Sequence, residues 1–181
     1  MNEKELVNCY KKIVNNYIHA KDNNKPHLMQ AAFVDSATLK MDVKTDKISF
    51  PAESVGLEAV TNVLVRDFSQ RYENVYTFCV SDSLEGQKGV MSCKWLVGMS
   101  EKDSGDVRVG YGRYDWHFSD EGDHLANHLT ITIEKMLVLT PEYTAPVMAW
   151  LGQLPYPFCH SDIIFENIPD IGELKLMRQY L

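Results

Sequence analysis

The stretch Val107–Phe118, VRVGYGRYDWHF, restricts the possible folds more than any other part of the chain. It alternates strictly, with Tyr111, Arg113, Asp115 and His117 on one face and Gly112, Tyr114, Trp116 and Phe118 on the other. Period-two alternation rich in aromatic residues predicts a β-strand whose two faces are used differently. Gly110 and Gly112 inside it predict a bend, a bulge or the close approach of another group. A strand carrying this many rings and ionisable groups is where a pocket is expected.

Helical signals come before it. Leu6, Tyr10, Ile13, Val14, Tyr17 and Ile18 recur at helical spacing, which predicts an amphipathic helix from about Glu3 to Lys21. Asn2 and Glu5 form a capping-box pattern, and Asp22-Asn23-Asn24 ends the helix. Pro26 opens a short helix through about Phe33, and Ala37–Val43 is a strand. Ser54 is read as the cap of a third helix, about 55–70, with Leu57, Val60, Val63, Leu64 and Phe68 inward. Strands follow at about 74–81, 90–99, 107–118 and 127–139. In the last one Leu129, Ile131, Ile133, Leu137 and Leu139 are placed on a single face.

Composition narrows the function classes. The 181 residues fit one domain with an appended tail, and 45% hydrophobic with 24% charged residues is a globular balance. A net charge of −7 with no cluster of Lys and Arg argues against a nucleic-acid partner. The polar, acidic start is unlike a secretory signal, and no apolar run is long enough to span a bilayer, so a soluble cytoplasmic protein without a membrane partner is expected. Cys9, Cys79, Cys93 and Cys159 have no metal spacing and read as free thiols, although Cys79 and Cys93 on successive strands could approach. His117, His124 and His128 flank a turn with Asp120 and Asp123, but this reads as a polar hairpin, and no metal or other cofactor is expected.

Helices followed by long strands give an α+β plan, a curved sheet wrapping helices around a cavity. On specific residues the chain resembles the nuclear transport factor 2-like superfamily, and within it the SnoaL-like and ketosteroid-isomerase-like proteins. The carrying residues are Tyr17-Ile18, the run Phe33-Val34-Asp35-Ser36-Ala37-Thr38-Leu39, Gly56-Leu57-Glu58-Ala59-Val60, Gly112-Arg113-Tyr114-Asp115 and Ser119-Asp120-Glu121-Gly122. The likeness spans roughly Glu3 to Leu139. It implies a cone-shaped domain over 1–140, with three N-terminal helices inside a curved antiparallel sheet. Residues 141–181 form a C-terminal extension that packs on the domain or on a partner subunit. It also implies a homodimer through the outer sheet face.

The isomerases of this fold use a helix tyrosine, a carboxylate base after the first strand and a carboxylic acid on a later strand. Tyr17 matches the first. The base position falls on Met41 with Asp42 beside it, and the acid position falls on Tyr114 with Asp115 beside it. An offset of one residue along a strand moves a side chain to the opposite face, so that triad is not intact. The catalytic candidates are Tyr17 and Tyr114 to hold an oxygen, with Asp42 or an Asp115–His117 pair to move a proton. The candidate ligand-facing residues are Phe33, Met41, Tyr76, Trp95, Trp116 and Phe118, with core filling as the competing role for the rings. The resemblance thus implies a small-molecule-binding protein: a cofactor-free isomerase, hydratase or cyclase acting on a small apolar carbonyl compound. The alternative is a non-catalytic ligand-binding or dimerisation module.

Overall fold

The computed structural model describes residues 1–181. Helix α1 (Glu3–Asp22) begins with a reciprocal cap: Glu5 N–H donates to the Asn2 side chain and Asn2 N–H to the Glu5 carboxylate, both at 2.9 Å. Its buried stripe runs through Tyr10, Ile13, Val14, Tyr17 and Ile18 and then, at the same spacing, through Lys21. A 3-10 turn (Pro26–Ala31) leads into β1 (Phe33–Val43).

Ser54 is not a helix cap. It lies in β2 (Glu53–Val55), buried and opposite Leu39 of β1. The helix starts instead after Gly56, whose φ of 91° is adopted without strain only by glycine. Helix α2 (Leu57–Thr61) passes through a π-helical stretch (Asn62–Arg66) into α3 (Asp67–Arg71), and Val60, Leu64, Val65 and Phe68 are buried.

The remaining long elements are strands: β3 (Tyr72–Val80), β4 (Glu85–Gln87), β5 (Val90–Glu101), β6 (Val107–Phe118) and β7 (Ala126–Leu139). With β8 (Phe158–Cys159) they form one curved, unclosed sheet in the order β2-β1-β7-β6-β5-β3-β8, with β4 on β5. Pairing is antiparallel except that β1 runs parallel to β7 and β8 parallel to β3.

A bulge decides which residues meet the helices. Tyr111 pairs with Lys135 but Gly112 with Ile133, leaving Glu134 as the extra residue of β7. Because the side-chain period is two, one extra residue reverses the faces beyond it. Leu129, Ile131, Ile133 and then Met136 belong to the inner core, whereas Leu137 and Leu139 belong to a second core on the other side. The single-face assignment of β7 therefore fails at Glu134. Gly112 sits at this point because a Cβ there would lie 1.8 Å from the Thr132 carbonyl oxygen and 2.7 Å from the Trp95 ring.

The second core is built with the C-terminal extension: α4 (Thr144–Leu151), β8, α5 (Ser161–Glu166) and α6 (Gly172–Lys175). Trp150, Leu151, Ile164 and Leu174 pack with Leu96, Val107, Val109 and Leu137 of the outer sheet face. The Trp150 indole N–H donates to the Ile164 carbonyl at 2.8 Å, and Gly98 leaves room for Leu151. No helix is long and apolar enough to cross a membrane. All four cysteines are free thiols; Cys79, hydrogen-bonded to Cys93 and buried, has its pKa pushed well up.

Candidate functional site

Between α1, α3 and the inner sheet face lies a cavity of about 50 Å³. Its walls are apolar: Met41, Ile48, Phe50, Leu64, Phe68, Val97, Met99, Ile131, Ile133 and Met136. Its polar groups are few and come from four elements: Tyr17 and Lys21 from α1, Thr77 from β3, Trp95 from β5 and Tyr114 from β6. An apolar pocket with a few convergent polar groups is the usual form of a small-molecule site, although 300–1,000 Å³ is the ordinary size. Of the lining side chains only Phe50, on the loop between β1 and β2, is not buried, so that loop separates the cavity from solvent. Arg108 holds it there, donating to the Lys47 carbonyl and, at 2.8 Å, to the Glu101 carboxylate.

The two phenols meet edge to face, with ring centroids 5.9 Å apart. Burial is the first cause that pushes both pKa values far above a phenol's ordinary value, and the two act on each other at close range. Both are therefore neutral O–H groups at any physiological pH, able to donate a hydrogen bond. Trp95 stacks on Tyr114 at 5.7 Å, and its buried indole N–H has no partner.

Lys21 supplies a charge. Its ammonium donates to Thr77 Oγ1 at 2.6 Å and to Asp22 Oδ1 at 2.8 Å, and lies 4.8 Å from the centroid of the Phe68 ring. The Asp22 side chain is 1% exposed. It also accepts from Thr77 N–H and Thr77 Oγ1, both at 2.8 Å, and from Tyr156 Oη at 2.9 Å. A buried pair is tolerated only with its remaining lone pairs and protons satisfied, and this one is held by five hydrogen bonds. In the sequence Lys21 and Asp22 mark only the end of the first helix, with no role assigned to either. The available signal was the run Tyr10, Val14, Tyr17, Lys21, which continues the apolar stripe with a lysine.

The other sequence candidates divide by face. Tyr17, Tyr114, Met41 and Trp95 line the cavity. Phe33, Trp116 and Phe118 are on the inner side but fill the core next to it: Phe33 and Trp116 pack on Tyr17, and Phe118 stacks on Tyr10 with centroids 3.8 Å apart. Tyr76 is on the outer side, stacked with Phe78 against the second core, because β3 changes register between Glu73 and Tyr76. Asp42 is exposed, one residue along from buried Met41 and so pointing away from the cavity. Asp115 and His117 also face outward and form no dyad. Asp115 pairs with Arg113 at 3.0 Å, and His117 is exposed with its ring 5.5 Å from that of His128. Burial, then His117 and Lys40, lowers the pKa of His128, whose ring nitrogens bond Thr38 and Thr130 at 2.6 and 2.9 Å. No three His, Cys, Asp or Glu side chains are grouped so as to hold a metal ion.

No family model and no curated protein matches the sequence. Solved structures do match the architecture. A candidate isomerase from Rhodopseudomonas palustris superposes with a TM-score of 0.59 at 10% identity, over 70% of this chain and 90% of the other. An NTF2-like protein from Burkholderia xenovorans LB400 gives 0.55 at 10% identity, over 74% and 92%. An LEH-like epoxide hydrolase from M. tuberculosis gives 0.51 at 10% identity, over 70% and 83%. Likeness at this level of identity concerns the backbone alone: the protein has the α+β cone fold of the nuclear transport factor 2-like superfamily.

Proposed function

We propose that the protein binds a small apolar compound in the inner cavity and holds its oxygen through the hydroxyls of Tyr17 and Tyr114. The observation that carries this reading is a pair of buried, neutral phenols lining a mostly apolar cavity. Such groups donate to a carbonyl or enolate oxygen without competition from bulk water. The cavity walls contain no carboxylate and no histidine. The groups suggested for proton transfer, Asp42 and the Asp115–His117 pair, are on the far side of the sheet. A general base must reach the proton it removes, so the geometry favours binding over carboxylate-driven isomerisation. Solved structures of similar fold include an LEH-like epoxide hydrolase and a candidate isomerase, so the fold alone does not decide between binding and catalysis.

Native mass spectrometry of the gently purified chain tests this reading. The expected result is a copurified small molecule that is retained by the wild type and lost from the Tyr17→Phe/Tyr114→Phe variant. Retention by that variant contradicts it. The extension packs on the apolar part of the outer sheet face, so self-association through that face would use its polar part, around Arg113, Asp115 and His117; sedimentation velocity measures it.

A further inference from the structure

Two spaces in the structure share a wall. The inner cavity, at about 50 Å³, is much smaller than an ordinary small-molecule site. A groove of about 960 Å³ also touches Met136, so this residue borders both spaces. The groove runs along residues 134–138 of β7, between residues 44–47 of the β1–β2 loop and Glu173 and Leu176 of the extension. β1 pairs with β7 only as far as Val43 and Ile133, so the edge of β7 is open there.

The loop that closes the cavity is weakly tied. Within residues 45–51 no backbone N–H or C=O is bonded to another backbone group. The loop is attached through the Arg108 bond to the Lys47 carbonyl and through Ile48 and Phe50, whose side chains line the cavity. A segment with so few internal bonds opens at low free-energy cost. Met136 can also yield, since its thioether chain is flexible and its methyl group lies over Gly110. Beyond it, Val138 is on the same side of β7 and 38% exposed, and Leu176 is 52% exposed. Apolar side chains left exposed beside a cavity mouth suit an aliphatic chain.

We propose that the cavity and the groove are two parts of one binding site, joined when the β1–β2 loop lifts away from Met136. Its ligand is a medium-chain aliphatic compound, with the oxygen-bearing end in the cavity and the chain passing Met136 to cover Val138 and Leu176. This rests on the binding role proposed above for the cavity. At about 10–15 Å³ for each water-sized group, the cavity alone admits about four non-hydrogen atoms, so a longer ligand must extend into the groove. The groove demands no net charge of that chain, because Lys44, Lys47 and Lys135 are matched in number by Asp46, Glu134 and Glu173.

The test is a set of ligand-observed NMR titrations of the full-length chain with 1-propanol, which fits the cavity alone, and 1-hexanol, which does not. The wild type is expected to bind 1-hexanol about thirtyfold more tightly, the gain from burying most of three further methylenes. Val138→Asp puts a charge in the path of the chain and is expected to cut that ratio about tenfold. Leu176→Asp, at a more exposed position, is expected to act in the same direction and decides the matter should Val138→Asp not fold. Ile163→Asp, at a comparably exposed apolar residue outside the groove, is expected to leave the ratio as it is. A wild type that binds 1-propanol but gains nothing from 1-hexanol overturns the joined site and leaves the binding role of the cavity standing. The same holds for a ratio that no groove substitution changes, or that Ile163→Asp changes as much. If neither alcohol binds, both readings fall.

Discussion

On the inner face of β6, Tyr114 and Trp116 pack on Tyr17 of α1 and Tyr114 borders a cavity; on its outer face, Val107 and Val109 join the core built with the C-terminal extension. The inner core of 32 buried residues has a lysine, a threonine, two phenols and an unpaired indole N–H at its hollow, whereas in the outer core of 16 the Trp150 indole N–H is taken by the Ile164 carbonyl. The same strands serve both. A sheet that needed only to be stable could pack both faces as it packs the outer one. The inner face instead retains polar groups whose donors lack partners and a charge pair that five hydrogen bonds must satisfy. The binding proposal rests on that contrast: the outer face supports the fold, and the inner face carries the polar groups to which a ligand would bind.

The contrast can be broken by substitution. The largest effect is expected from Trp150→Ala in the outer core, which removes a side chain 4% exposed and its bond to Ile164. It should cost about 4 kcal/mol in urea unfolding yet leave ligand affinity of the folded fraction unchanged. Gly112→Ala comes next, at about 3 kcal/mol, because the added methyl meets the Thr132 backbone, which cannot step aside. Gly98→Ala on the outer face should cost only about 1 kcal/mol: its methyl meets the tip of Leu151, a side chain that can turn away. Equal losses at the two glycines would mean that the bulge is not the rigid point of the sheet.

Tyr114→Phe should change stability by less than about 1 kcal/mol while reducing ligand affinity about tenfold. The smallest expected effect is that of pH on the loop that covers the cavity. Arg108 is the first cause that lowers the Glu101 pKa below its usual 4.5. A carboxylate whose folded pKa is depressed stabilises the fold above its unfolded value, and that contribution is lost as pH falls through the folded value. Stability should therefore decline below about pH 4.5, and Arg108→Gln should flatten that part of the curve.

How far the sequence could be read follows from the same two faces. The cone was legible because long amphipathic periods at α1 and β6 survive in any context, and because Tyr17, Gly56-Leu57 and Gly112-Arg113-Tyr114 stand at recognisable places. The fate of Leu137 and Leu139 was not, since a bulge is a property of two paired strands and β7 alone shows an unbroken alternation. Tyr76 was misplaced for the same reason, through the register change after Glu73. Lys21 was legible only in part: its spacing from Tyr17 continues the buried stripe, but its partner Thr77 lies 56 positions along the chain, and Tyr156, which donates to its counter-ion Asp22, lies 134 positions from that residue. The destination of the extension could not be inferred either, because apolar residues such as Ile164 and Leu174 reveal that they are buried and not against what.

The eight methionines make the central claim directly measurable. Met41, Met99 and Met136 line the inner cavity, whereas Met177 is buried in the outer core and Met148 packs against it. With methionine methyl groups labelled with carbon-13, titration with 2-butanone should shift the first three signals and leave Met148 and Met177 in place. Shifts confined to Met148 and Met177, or no shift at all, would contradict the account.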